Sequence, residues 1–201
     1  MIKRKWHKYI ALIFFLAGLG LIGNATYIHA KALLASYLLR NAWAETVQKG
    51  GRIKPWPWAD TWPVAKLTVP EHAIDLVVLE GDTGNVLAFG PGHMVLSSLP
   101  GQPGNSIISG HRDTTFRFLE KVEKGDVIEL QTLNGETVIY RVSGIYITDE
   151  AVLDMPIESE TPLLTLVTCY PFDAVNPVGS QRYLVFAEFE DLKSFQRISS
   201  Q

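Results

Sequence analysis

The chain has one cysteine in 201 residues, Cys169. No intramolecular disulfide is possible, and without a Cys-x-x-Cys pair neither a dithiol redox motif nor a cysteine zinc cage can form. An excess of positive charge is also missing: 18 Lys and Arg stand against 21 Asp and Glu, a net charge of −3. Nucleic-acid binding needs a basic face and is not expected. No internal repeat is visible, and the stretch after Glu190 is polar, so no anchor is expected at that end. In their place the chain has 47% apolar residues, 16 Gly and 11 Pro. That composition suits one domain with its own core plus an anchor, and the many turn residues favour a β-rich domain over a helix bundle.

The long hydrophobic run is N-terminal. Lys3, Arg4 and Lys5 precede an apolar stretch from Tyr9 to Gly23, and only Asn24 and Thr26 interrupt it before Tyr27 and Ile28. Roughly 20 such residues cross a bilayer as a helix. The basic cluster ahead of the run predicts a cytoplasmic N-terminus and export of everything after it. A cleaved signal peptide is the rival reading. The run is longer than a signal core and no A-x-A-like site follows it at once, although Ala30, Ala32 and Ala35 stand nearby. An uncleaved anchor is the expectation.

Residues 31–49 predict a short amphipathic helix with Leu34, Leu38 and Ala42 on one stripe, ended by Gly50-Gly51. Pro55-Trp56-Pro57-Trp58 and Trp62-Pro63 then predict an extended linker, its tryptophans packed on the domain or set at a membrane interface. The expected organisation is a cytoplasmic stub and anchor at 1–30, a helical and Pro/Trp linker at 31–63, one folded domain at 64–190 and a polar tail at 191–201.

Within the domain, short β-type runs alternate with turns. Strands are predicted at 65–69, 74–79, 86–89, 105–109, 126–131, 136–147, 163–169 and 182–189. Asn134-Gly135 is a hairpin signal, since both residues tolerate positive φ. Residues 113–121 predict a short helix or turn capped by Asp113 or Thr114. Eight short strands of this kind argue for a closed or nearly closed barrel.

Three places carry candidate chemistry. Cys169 ends the apolar run Leu163–Thr168, and Pro171 forces the chain out of the ladder two residues later. A lone thiol is usually a small buried apolar group, but one at a strand end has the fixed aim and the access that a nucleophile needs. His111 follows the strand 105–109, and Gly110 before it leaves room for a substrate backbone to pass the ring. Most single histidines are packing or surface residues, and His72 and His93 are read that way. Arg182 opens the last strand. It is either a solvated edge or, if that strand lies beside the cysteine, a fixed positive charge for a thiolate and an oxyanion. Acyl transfer needs a thiol, an acid/base and such a donor.

The run Thr165-Leu166-Val167-Thr168-Cys169 resembles the TLxTC signature of sortases. Gly90-Pro91-Gly92-His93, Pro100-Gly101-Gln102-Pro103-Gly104-Asn105 and Gly110-His111-Arg112-Asp113-Thr114 are similar to the same family's GPGH, PGxxGN and GHRDT blocks, in order. Lys124-Gly125-Asp126 and the arginine before the final strand agree. The resemblance covers roughly residues 64–189 and is nearest the small class D/E-like members or the Gram-negative type.

It implies an eight-stranded β-barrel with short helices behind a transmembrane helix. It also implies a transpeptidase that cleaves an LPxTG-like C-terminal sorting motif through a Cys169 thioester and passes the protein to an amine acceptor. By position, Cys169 is the nucleophile, His111 the general acid/base, Arg182 the oxyanion donor, and Thr168 a substrate-binding residue. His93, in a Gly/Pro-rich loop, stands as a further substrate-binding candidate beside its packing reading. No cofactor is implied. Glu120, Glu123 and Asp126 read as a solvated face and no metal is expected. A hydrolase acting on the same motif and a non-catalytic tethered binding protein are the alternatives.

Overall fold

The computed structural model describes residues 3–149, 157–174 and 179–190. The chain divides into two compact units, one up to Leu38 and one from Leu39 onward. The first is purely helical. Helix α1 runs unbroken over Lys3–Lys49, so the expected anchor and the expected amphipathic helix are one element. Gly18, Gly20 and Gly23 have open space around them and do not interrupt it. At 1.5 Å per residue, 47 residues reach roughly 70 Å, about twice a bilayer's hydrocarbon core. Up to Ile28 the large apolar side chains are exposed all round the helix, Phe14 and Leu21 at 73% each. By length and composition it is the one helix among the described residues able to cross a membrane.

The second unit is a closed barrel. Its strands are β1 (Pro63–Val69), β2 (Ile74–Glu80), β3 (Gly92–His93), β4 (Gly104–Ser109), β5 (Val127–Gln131), β6 (Thr137–Asp149), β7 (Pro162–Cys169) and β8 (Gln181–Phe189). Around the barrel they run β1-β2-β3-β4-β7-β8-β6-β5, with β5 returning to β1. Only β2–β3 and β4–β7 are parallel pairs. A parallel pair needs a long crossover, and β5 and β6 are built inside the one between β4 and β7. This topology brings two distant stretches of sequence to the same end of the barrel.

The expected strand at 86–89 is not a strand. Gly84–Leu87 forms a one-turn helix, α2, whose Val86 packs against Leu39, Trp43, Val77 and Leu79. The strand in its place is the two-residue β3, which pairs with β2 and β4. A Cβ at Gly92 would lie 2.1 Å from the Gly81 carbonyl oxygen, so β3 can approach only as glycine. The β5–β6 hairpin forms as expected, but Gly135 alone takes positive φ (+84°). The Gly135 N–H reaches the Thr132 carbonyl and the Thr132 N–H reaches that of Glu136, closing a loop longer than the two-residue turn. The Arg117–Lys121 segment is a 3-10 helix whose N-cap is Phe116, and neither Asp113 nor Thr114 caps it.

Side-chain alternation sorts the barrel into an interior and an outer face. Leu67, Ile108, Leu164, Leu166 and Val185 are fully buried in the interior core, joined by Tyr140 and by Phe116 from the segment after β4. The Tyr140 hydroxyl accepts the Gly101 N–H at 2.9 Å, and burial holds its pKa above the ordinary phenol range. The unit begins earlier than residue 64. Trp43 packs on Val77 and Leu79, and its indole N–H donates to Gln131 at 3.2 Å. Trp56 packs on the same cluster and meets Phe89 edge-on at 4.9 Å, while Trp58 stays 83% exposed. Thr61 is buried, with its hydroxyl donating to the Glu80 carbonyl at 2.7 Å. The Pro/Trp segment is therefore seated on the barrel and not a free tether.

Candidate active site

Strand β7 lies between β4 and β8 and is buried from Leu164 to Thr168. Leu164 and Leu166 face the interior core. Val167 belongs instead to an outer cluster with Ile107 of β4 and Leu184 of β8, flanked by Met94 and Phe186. Period-2 alternation puts Cys169 on the same outer face as Val167. The thiol is half-buried at the strand end.

Two pairings set its neighbours. Cys169 is the antiparallel partner of Arg182. The Tyr170 N–H donates to the Gln181 carbonyl, so the preceding 169/182 pair is of the non-hydrogen-bonded kind. Such pairs have Cα atoms roughly 4.5 Å apart, with their side chains at their closest. On the other side β4 runs parallel to β7, with Ser109 opposite Val167. Two residues further on stand Cys169, the last residue of β7, and His111, already past the end of β4. The Gly110 N–H donates to the Val167 carbonyl at 3.0 Å, and the Thr168 hydroxyl donates to the Gly110 carbonyl at 2.8 Å. The two chains are thus stitched together at their ends, with His111 exposed. The fold brings Cys169 and Arg182, on the paired strands β7 and β8, and His111, two residues past the end of β4, to one end of the outer apolar stripe.

The Arg182 guanidinium donates to the carbonyls of Gly179 and Gln181 at 3.0 and 3.1 Å, which holds it at the strand's start. Across from it, Arg112 is buried (6% exposed). Its side-chain hydrogen bonds to Asp113 hold its pKa above the ordinary arginine value. The charges of Asp113, Cys169 and Asp173 act in the same direction, against the opposing effect of burial. The same hydrogen bonds hold the Asp113 carboxyl below its usual range, helped by the charges of Arg112, Arg117 and His111. These groups share one electrostatic neighbourhood around the thiol.

A profile of the sortase domain matches residues 67–190, well over half the chain. The chain belongs to the sortase family. Sortase D of Bacillus subtilis (strain 168) is 32% identical over 122 residues, covering 61% of this chain and 61% of that protein. The chain therefore spans less than two thirds of that relative's length. Sortase A from Corynebacterium diphtheriae superposes with a TM-score of 0.60 at 32% identity, over 67% of this chain and 64% of the other. The Clostridium perfringens Sortase D5 transpeptidase shares the fold, with a TM-score of 0.62 at 23% identity over 79% of this chain and 99% of the other.

Two sortase-motif residues are buried and hydrogen-bonded within the domain. Thr168 is buried on the interior-facing parity with Leu164 and Leu166, its hydroxyl spent on the Gly110 carbonyl. His93 is 1% exposed, with Nδ1 at 3.3 Å from Glu80 and Nε2 at 3.0 Å from the Ser98 carbonyl and 3.2 Å from the Ser97 hydroxyl. Both ring nitrogens are engaged. Among the described residues, Glu120 pairs with Arg117 and Asp126 with His72, and no three potential ligand side chains converge. The residue that sequence reasoning left without a role is Arg112. It stands inside the GHRDT block, but its carbonyl partners lie 59 and 62 positions away and leave no local signal.

Packing alone calls for glycine at position 110. A Cβ there would sit 2.5 Å from the ring of Phe116, which is fully buried and cannot withdraw. Gly110→Ala is expected to destabilise the fold by roughly 1–3 kcal/mol, as overpacking does. Its effect on activity should exceed its effect on stability, because the displaced residue adjoins His111. Urea unfolding midpoints compared with turnover check this.

Proposed function

We propose that this sortase is a membrane-anchored cysteine transpeptidase that cleaves an LPxTG-like sorting motif near the C-terminus of a substrate protein and joins that protein to an amine. The observation that carries the reading is the β4–β7–β8 register, which gives one thiol, one imidazole and one guanidinium a common strand end beside an apolar stripe. From Thr165 to Cys169 that stripe measures roughly 13 Å at 3.3 Å per residue, the length of a short extended peptide.

The sulfur of Cys169 attacks as the thiolate, with His111 already protonated, and forms a bond to the carbonyl carbon of the motif's threonine. The Arg182 guanidinium stabilises the negative charge on the tetrahedral oxygen. His111 gives a proton to the glycine nitrogen as the C–N bond breaks, leaving a thioester. An incoming amine then attacks the thioester, His111 accepts its proton, the C–S bond breaks and an amide forms. Thr168 and His93 act through the scaffold by holding Gly110 and the β3 loop. The anchor is α1, with Lys3–Lys5 on the cytoplasmic side and the barrel on the extracytoplasmic side.

The test is the full chain in detergent micelles with a peptide bearing the motif and a primary amine. Mass spectrometry should find an amide-linked product. Free acid alone would indicate a hydrolase, and no cleavage of any sorting-type peptide would favour a tethered binding protein.

A further inference from the structure

The turn after His111 and the loop after Cys169 are joined by two arginines. The Arg112 Nη1 donates to the Pro171 carbonyl at 2.8 Å and Nη2 to the Ala174 carbonyl at 3.2 Å. Its Nε and Nη2 also donate to the Asp113 carboxylate at 2.8 and 3.1 Å, which fixes the plane of the guanidinium. The Arg117 Nη1 donates to the Phe172 carbonyl, and its guanidinium lies over the Phe172 ring at 5.8 Å. Three carbonyls of the segment 171–174 are therefore taken by side chains of the segment 112–117. Only Arg112 is buried, and a buried arginine is retained where its planar fork has several fixed acceptors.

We propose that Arg112 is a positioning residue: from the general base's own turn it grips the loop that follows the nucleophile, fixing the aim of Cys169 and holding a second positive charge close to its sulfur. Tyr170, Phe172 and Tyr183 complete the support. Tyr170 stacks on Tyr183 at 6.1 Å and Phe172 meets Tyr183 edge-on at 4.9 Å. The aromatic packing sets the position of the loop, and Arg112 sets its distance from His111. Charged groups neighbouring the site are Arg182, the β8 partner of Cys169, His111, Arg112 and Asp113 after β4, and Asp173 in the loop after β7.

The role rests on the transpeptidase reading only for its turnover readout, because alkylation of Cys169 needs no sorting peptide. The probe is iodoacetamide at neutral pH on the full chain in micelles, where the single thiol makes the rate unambiguous. A merely structural loss would loosen the loop and speed alkylation. Loss of a charge that favours thiolate slows it.

Arg112→Met should alkylate roughly tenfold more slowly and lose roughly 100-fold in kcat with little change in KM. Arg112→Lys keeps the charge but not the fork. It should recover the alkylation rate while kcat stays low. Alkylation of Arg112→Met at the parent rate or faster overturns the electrostatic half of the role. A parental kcat in Arg112→Lys overturns the clamp, and that variant carries the test if Arg112→Met does not fold.

Discussion

Replacing Cys169 with Ala should abolish transfer of the sorting peptide, lowering turnover by about 10⁴-fold or more. Two features make the expected loss so large. The chain holds no other thiol, so no neighbouring group can take over the attack. On the proposed route every later step also depends on the thioester, so nothing downstream of the nucleophile can compensate. The change is small for the fold. Cys169 is half-buried at the last position of β7, and the packed residues beneath it, Leu164 and Leu166, are untouched. The thermal midpoint should move by no more than a degree or two, as for a mild truncation. The measurement is intact-protein mass spectrometry after incubation with peptide but no amine. The parent chain should carry the acyl adduct, and Cys169→Ala should carry none. Transfer that persists in the alanine chain, folded and at comparable rate, would sink the catalytic reading whatever else the site contains.

The barrel was legible in the sequence because its signals are local. β7 shows itself as an apolar run ending at Cys169, since a strand buried on both faces needs apolar residues throughout. The β5–β6 hairpin shows itself in Asn134-Gly135, and the end of α1 in Gly50-Gly51, with Gly135, Gly50 and Gly51 at positive φ. β3 did not, because two residues carry no periodicity. Its place is set by Gly92 approaching the Gly81 carbonyl, a contact between backbones that composition does not encode. The run 86–89 misled for a related reason: it is apolar because Val86 packs beside Leu39 and Trp43, not because it joins a ladder.

At the site, the residue types were readable but their division of labour was not. Thr168 and His93 sit in motifs, and a motif does not say on which face of a strand a side chain falls. Parity against Leu164 and Leu166 puts Thr168 inward. The Glu80, Ser97 and Ser98 contacts hold His93 beneath its own loop. Arg112 was missed for the opposite reason. Its neighbour Asp113 makes it look like an ordinary surface ion pair, and only the folded chain supplies Pro171 and Ala174 as acceptors.

Replacing His111 with Gln should lower turnover on an amide substrate by roughly 10²–10⁴-fold, the range that positioned acid/base catalysis supplies. The reason lies in the leaving group. An amine departs from a tetrahedral intermediate only if its nitrogen is protonated, and on the proposed route His111, which follows β4 beside the β7 end, is the acid. A peptide thioester carrying the same motif offers a leaving group that departs as an anion and needs no proton. His111→Gln should therefore acylate from the thioester with a far smaller loss than from the amide. Because His111 is exposed, the substitution should leave the unfolding midpoint almost unchanged. Equal losses on both substrates would mean that His111 acts on the thiol or on the loop geometry instead, and would remove leaving-group protonation from the mechanism. A large loss on the amide alone separates the imidazole's work from that of Arg182, whose charge serves the oxyanion formed from either substrate.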